Sequence, residues 1–282
     1  MKICYTSDLH GHWSHYQALA ELHRRNRFDA ILIGGDLLPR IGHDIHSLNR
    51  QIHFIKDQLL LLFKEFQSVK PVKILIIPGN NDWASAMPYF GLDPTANVIL
   101  LNPANPEALC DGYSILGYPC VPPTPFIPKD FERKDCCFDS IAEMEGCISR
   151  QRSIQPIITS DYFAANPSIE NDMDSLTPKN PDRLIFMAHS PPFQTALDRT
   201  QNGAFGSRAI RAWIEQTQPY LTLHGHIHES PEVSGKFWDR IGSSLVVNPG
   251  QNRAKLSAVL FNPEDLSTLT HTLRGPAFGD KA

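Results

Sequence analysis

No stretch of this sequence is apolar for long enough to cross a bilayer. Its densest apolar run, Leu59 to Phe63, falls far short of the roughly 20 residues that a spanning helix needs. No apolar leader opens the chain either. Met1-Lys2-Ile3-Cys4-Tyr5-Thr6 runs straight into strand-like residues, so the expectation is a cytoplasmic protein without a membrane span. A basic field is also missing. The formal charge is -4, and extended nucleic acid, which rewards clustered Lys and Arg, is therefore not the expected partner; a small or locally held substrate is. The six cysteines (Cys4, Cys110, Cys120, Cys136, Cys137 and Cys147) form neither a CxxC pair nor the spacing of a zinc knuckle, which points to free thiols. The adjacent Cys136-Cys137 pair could serve redox or metal chemistry, but two small residues in a loop or helix account for it more simply. Repeats, low-complexity tracts and an interdomain linker are absent too. With 41% hydrophobic residues to build a core, 1–282 reads as a single globular domain.

What is present is alternation. Runs rich in Ile, Val and Leu exchange with segments of helical period, the pattern of an α/β protein. Lys2 to Ser7, Ala30 to Ile33 and Val72 to Ile77 read as strands, and Trp13 to Arg27 as a helix. Between the second and third strands, Leu48, Ile52, Ile55, Leu59, Leu62 and Phe66 recur at spacings of three and four, which gives a helix one apolar stripe to lay on a sheet. Further strands are predicted near Val98 to Leu101, Tyr113 to Tyr118, Leu184 to Ala188, Tyr220 to His224, Leu245 to Asn248 and Leu256 to Phe261, with a helix near Ser207 to Gln216. The late strands have fewer helices between them, which suggests a second, partly antiparallel sheet. From Pro119 to Asp182 the pattern breaks. Five prolines, at 119, 122, 123, 125 and 128, precede a polar stretch with a predicted helix over Asp139 to Gln151. This 119–182 segment reads as an insertion within the domain, either a lid or specificity wall or a surface ornament.

Five polar blocks carry the chemistry, each at the end of an apolar strand: Ser7-Asp8-Leu9-His10-Gly11, Gly34-Gly35-Asp36, Pro78-Gly79-Asn80-Asn81-Asp82, Ala188-His189-Ser190-Pro191-Pro192 and Gly225-His226-Ile227-His228. In open α/β sheets, sites form at the carboxyl ends of strands. In extended chain, side chains at i and i+2 point the same way, which would align Asp8 with His10 and His226 with His228. Any one of these residues is equally well explained as a helix cap, a turn or a solvated side chain. Five separate loops imitating ligands strand after strand is a different matter.

On these blocks the chain resembles the calcineurin-like metallophosphoesterases, whose motifs run D-x-H, G-D, G-N-H-[DE], a histidine block and G-H-x-H. The match reaches from Asp8 to His228, and Asn248-Pro249-Gly250 is similar to the family's closing N-P-G. The resemblance implies an α/β fold, a four-layer α/β/β/α sandwich with two mixed β-sheets flanked by helices, and a dinuclear metal centre at one end of the strands. Carried over residue by residue, Asp8, His10, Asp36 and His228 hold one metal. Asp36, Asn80, His189 and His226 hold the other, with Asp36 bridging. Two divalent cations against two carboxylates leave a net positive centre, which suits an incoming phosphate and the charge that builds during in-line displacement. Nitrogen and oxygen ligands without thiolate leave Mn, Fe, Zn, Co and Ni open, with Mn the first expectation. The implied reaction is hydrolysis of a phosphate ester by a hydroxide bridging metals roughly 3.5–4 Å apart. Ser7 and Ser190 are then not required as nucleophiles.

The family pattern breaks at Asn81, where the third block normally carries the histidine that contacts phosphate and helps protonate the leaving group. An amide cannot supply that proton, so a phosphodiesterase bias is expected, with small, nucleotide-like diesters among the substrates. Phosphomonoester or phosphoprotein hydrolysis at the same centre, and a non-catalytic metal-binding scaffold, are the alternatives; complete ligand positions count against the scaffold. His12 is a candidate substitute acid or a solvated residue at a helix start. Asp82 is expected to orient its neighbours rather than bind metal. Arg40 and Arg253 are candidate phosphate contacts beside Asn81. The remaining histidines, His43 among them, are given no ligand role.

Overall fold

The apolar runs become strands whose side chains are covered on both faces. In a computed structural model, which describes residues 1–41, 46–110 and 112–278, β1 (Ile3–Thr6), α1 (Trp13–Asn26) and β2 (Ala30–Gly34) form an opening βαβ unit, with both strands buried throughout. The next crossover is one continuous helical run: α2 (Ser47–Phe54), a π-helical turn (Ile55–Leu59) and α3 (Leu60–Val69). The whole predicted stripe from Leu48 to Phe66 is buried. There follow β3 (Lys73–Ile77), β4 (Val98–Leu100), β5 (Glu107–Cys110) and β6 (Tyr113–Tyr118), then a hairpin of β7 (Cys147–Arg150) and β8 (Ser153–Pro156), and helices α4 (Thr159–Ala165) and α5 (Ile169–Asp174). The chain continues through β9 (Leu184–Ala188), the short pair β10 (Arg199–Thr200) and β11 (Gly203–Ala204), α6 (Arg208–Thr217), β12 (Leu221–Leu223) and α7 (Ser230–Ser234). It ends with β13 (Trp238–Ile241), β14 (Ser244–Val247), β15 (Val259–Asn262), β16 (Asp265–His271) and β17 (Gly275–Pro276).

Two large mixed sheets result, in the orders β17-β16-β15-β1-β2-β3-β4 and β13-β14-β12-β9-β6-β5. Strands β1 to β4 run parallel, and so do β6, β9, β12 and β14; the remaining partners are antiparallel. Their facing sides share one apolar layer, in which Tyr5, Leu32 and Ile77 of the first sheet meet Ile115, Met187 and Leu223 of the second. The outer side of the first sheet packs on α1, α2 and α3, and that of the second on α5 and α6. Helices thus flank two face-to-face sheets. Among the described residues no helix is long and apolar enough to cross a membrane.

Two expectations need correcting. The strand predicted over Leu256 to Phe261 does not join the late sheet; as β15 it returns to the first sheet, antiparallel to β1 through Ile3↔Phe261. The helix predicted over Asp139 to Gln151 does not form. There Asp139 accepts from Cys136 N at 2.9 Å and Glu143 from Thr159 N at 2.8 Å, so local acidic groups serve other backbone donors. Residues 147–150 turn instead into the β7–β8 hairpin.

Candidate metal centre

Parallel pairing puts the carboxyl ends of β1, β2 and β3 on one edge of their sheet, and those of β9 and β12 on one edge of the other. The loops beyond them hold Asp8 and His10, Asp36, Asn80 and Asn81, His189, and His226 and His228. One ligand atom from each of Asp8, His10, Asp36 and His228 lies within 4.8 Å of the others. His10 Nε2 and His228 Nε2 are 3.1 Å apart, His228 Nε2 is 3.2 Å from Asp8 Oδ1, and His10 Nε2 is 3.6 Å from Asp36 Oδ2. His189 Nε2 lies 3.5 Å from Asp36 Oδ1 and 4.0 Å from Asp8 Oδ1, and its ring centroid is 5.3 Å from that of His226. Asn80 and His226 line the same cavity as His10, Asp36 and His228.

The side chains do not meet through extended-chain alignment. Asp8, His10, Asp36 and His226 all lie in the left-handed region, at φ 59, 47, 51 and 66°. Such a conformation costs a non-glycine residue on the order of 1–3 kcal/mol and persists only where the surroundings over-determine it. Here they do. Asp8 N donates to Gly35 O at 2.9 Å, His10 N to Asp36 O at 2.8 Å and Gly11 N to Leu37 O at 2.9 Å, so the first loop is laced to the second. His226 N donates to both Asp8 oxygens, at 3.1 and 3.0 Å. A side chain at Gly79 would run into Asp36 Oδ1 and, at 2.6 Å, into His189 Nε2.

The donor set fits cations. His189 Nδ1 lies 2.7 Å from Gly34 O and must donate to it, which aims Nε2 at the two carboxylates. His189 Nε2 and Asn80 Oδ1 are buried and hydrogen-bond to nothing among the described residues. Buried polar atoms seldom stay orphaned, and two of them beside a pair of carboxylates mark a place for a ligand. Electrostatics agree. Burial alone would raise Asp8, yet His228 and His189 hold it down to about 2; Asp36 is likewise held well below the usual carboxylate range, against its burial, by His189 and His10. His10 and His226 are pushed down by burial, to about 4 and about 3, leaving neutral imidazoles with free lone pairs.

Asp82 is fully buried and is not among the residues that line this cavity. Its carboxylate accepts from Gly79 N at 2.9 Å, Leu38 N at 2.9 Å and Leu37 N at 3.2 Å, tying the third block to the second. Burial, and then the charge of Asp36, raise it to about 7. Asn81 and Arg40 line the cavity. Asn81 N donates to Asp36 Oδ1 at 2.7 Å, its Nδ2 to Leu38 O at 3.1 Å, and its Oδ1 accepts from Ile41 N at 3.3 Å. The structure does not bring His12 or Arg253 to this group. His12 is exposed at the start of α1 with its ring against His15, and Arg253 is exposed outside the cavity lining. His43 lies outside the described residues.

Three supporting residues were given no role by sequence reading. Gln51 of α2 donates to Pro39 O at 3.0 Å and Asn81 O at 2.8 Å and accepts from Trp83 N at 2.8 Å. Gln251 Nε2 donates to Ser7 O at 2.8 Å. Asn248, noticed only for its motif, donates to Gly225 O at 3.1 Å and Ile227 O at 3.2 Å and so holds the last block. Only the N-P-G match signalled any of them.

A family model described as calcineurin-like phosphoesterase matches residues 1–230, a span containing all five blocks. Among solved structures, one crystal structure superposes with a TM-score of 0.60 at 16% identity over 96% of this chain and 97% of its own. TT1561 of Thermus thermophilus does so with 0.53 at 15% identity over 98% and 99%. At such identities these are likenesses of fold. No curated protein matches.

Proposed function

The chain belongs to the calcineurin-like phosphoesterase family, and from that premise we propose that it hydrolyses a phosphate ester at a centre of two divalent cations, with a preference for diesters. One cation is assigned to Asp8, His10, Asp36 and His228, the other to Asp36, Asn80, His189 and His226. The observation that carries this reading is the convergence of possible ligand atoms: two imidazole Nε2 atoms 3.1 Å apart beside two depressed carboxylates, with His189 Nε2 and Asn80 Oδ1 lacking a hydrogen-bond partner among the described residues. Bound divalent ions supply Lewis acidity, which activates water and offsets charge on the phosphoryl oxygens. Manganese is the first choice for such a nitrogen and oxygen set.

The protein's own groups orient and bind. Gly34 O fixes the His189 tautomer, Asp82 fixes the second and third blocks against each other, and Arg40 is the arginine that lines the cavity and meets the substrate phosphate. Asn81 occupies the position of the family's proton-donating histidine, and its amide is engaged with the backbone of Leu38 and Ile41. No acid therefore stands at this position for a poor leaving group, a loss of about a hundredfold or more that falls hardest on unactivated esters.

The test is metal-stripped protein reconstituted with Mn, Zn, Co or Ni and assayed on bis(p-nitrophenyl) phosphate and on p-nitrophenyl phosphate, with metal content measured in parallel. Two metals per chain and a higher kcat/KM for the diester are the expected result. A large monoester preference overturns the diester bias, and absence of both bound metal and turnover favours a scaffold.

A further inference from the structure

The cavity at the centre has a volume of about 570 Å³, far more than a phosphate fills, since a water takes only about 30 Å³. Part of the remainder is apolar. Pro125, Phe126, Ile127 and Pro128 line it together with Ile41. Phe126 is 60% exposed and lines the cavity, so its ring is open to contact with a ligand there.

The loop that carries Phe126 is pinned. Lys129 and Glu132 are fully buried and paired at 2.9 Å, and Lys129 Nζ donates to Thr124 O at 2.7 Å and to Phe126 O. Glu132 accepts from Thr124 N at 3.0 Å and from the Thr124 hydroxyl. Phe126 N donates to Thr124 Oγ1 at 3.2 Å, and Ile127 O accepts from Cys147 N at 2.8 Å. Polar backbone groups before, at and after Phe126 are thus spoken for, and prolines at 125 and 128 restrict φ on either side. Burying an ion pair carries a desolvation cost, and here the pair's hydrogen bonds fix the geometry of the loop. What is fixed here is an aromatic side chain in the lining of the proposed phosphate-binding cavity. Charge limits what lies beside it: Glu145 and Glu229 line the same cavity and form no ion pair among the described residues, so they repel a second phosphate.

We propose that Phe126, held by the Lys129–Glu132 knot, is a specificity platform for a planar aromatic group esterified to a single phosphate. The substrate class is then an aryl or nucleobase-bearing ester with one phosphate, not a polyphosphate or an extended polynucleotide. This inference rests on the phosphoesterase reading above.

The test uses two non-hydrolysable probes, phenylphosphonate and methylphosphonate, as competitive inhibitors of manganese-loaded protein turning over bis(p-nitrophenyl) phosphate. Phenylphosphonate is expected to bind about tenfold or more tightly than methylphosphonate, the scale of one aromatic stacking contact. Phe126→Ala should bring the two to parity by weakening phenylphosphonate alone, while Phe126→Trp should keep the difference. Phe126 is exposed, so an unchanged melting temperature checks that the variants fold. Wild-type protein that is active but binds both phosphonates alike, or a Phe126→Ala variant that weakens both equally, overturns the platform. No turnover at all with manganese instead overturns the phosphoesterase reading.

Discussion

Asn81 shows what a single residue can and cannot disclose from its position in a motif. Its departure from the family's histidine was legible in the sequence, and the proposed loss of an acid rests on that departure. Its attachments were not, because they depend on where Leu38 and Ile41 lie across a turn. Both ends of the amide hold the short loop that carries Arg40, so Asn81 also positions that arginine. An imidazole can supply a proton but cannot replace both amide bonds, since its two nitrogens point in different directions. Asn81→His is therefore expected to raise monoester turnover relative to diester turnover. It should also raise KM for both by on the order of fivefold, the value of one hydrogen bond. Steady-state kinetics on the two nitrophenyl esters read both effects, and an unchanged ratio of kcat values would show that this position does not set preference. The proposed ligand residues teach a related lesson: Asp8, His10 and His226 stand out by residue type, but their left-handed backbone is set by hydrogen bonds from another loop and leaves no trace in local sequence.

Among the elements, the helical run from α2 to α3 was legible because its apolar stripe is periodic, and the π-helical turn at Ile55–Leu59 leaves that stripe buried. Gln51 was not. A glutamine among the apolar positions of a helix reads as solvent-facing, yet here it is fully buried and connects α2 to the Arg40 loop and to the third metal-site block. The 139–151 segment was misread for the converse reason, since its acidic side chains cap donors distant in sequence. Gln51→Ala would leave Pro39 O, Asn81 O and Trp83 N without their partner. Each orphaned buried group costs about 1–3 kcal/mol, partly relieved by rearrangement or water, so a loss of roughly 2–4 kcal/mol is expected. Urea unfolding measures it. Metal affinity should fall with it, because Asn81 and Asn80 move together; unchanged stability would show that Gln51 does not join these elements.

Across the whole molecule, the strand ends on which the site stands could be read from apolar runs stopped by glycine and aspartate, and the parallel order of β1, β2 and β3 follows from their helical crossovers. The pairing of β15 with β1 could not, because contacts across some 250 residues are chosen by the packing of two sheets and not by local pattern. That packing also buries a histidine outside the proposed metal centre, and it sets a pH dependence. His224, fully buried, lies with Nδ1 2.9 Å from Ser190 O and 3.1 Å from Ala188 O, and with Nε2 2.8 Å from Thr222 Oγ1. Two carbonyls require a proton on Nδ1, so Nε2 accepts from the threonine and the ring is neutral. Burial pushes its pKa down from 6.5 to about 4, against the pull of the two carbonyls. A histidine lowered on folding contributes stability that is present above its unfolded value and is lost as pH falls from about 6.5 toward 4, because the unfolded chain takes up the proton first. Between pH 7.5 and 5 this amounts to about 2 kcal/mol. His224→Gln should be less stable at every pH yet lose about 2 kcal/mol less than the wild type across that interval. Chelator throughout keeps metal loss, which acid also promotes, out of the comparison. Equal losses of stability by the wild type and His224→Gln between the two pH values, measured by urea unfolding, would mean that His224 titrates alike in the folded and unfolded chain, and that the neutral tautomer inferred from its three oxygen neighbours is wrong.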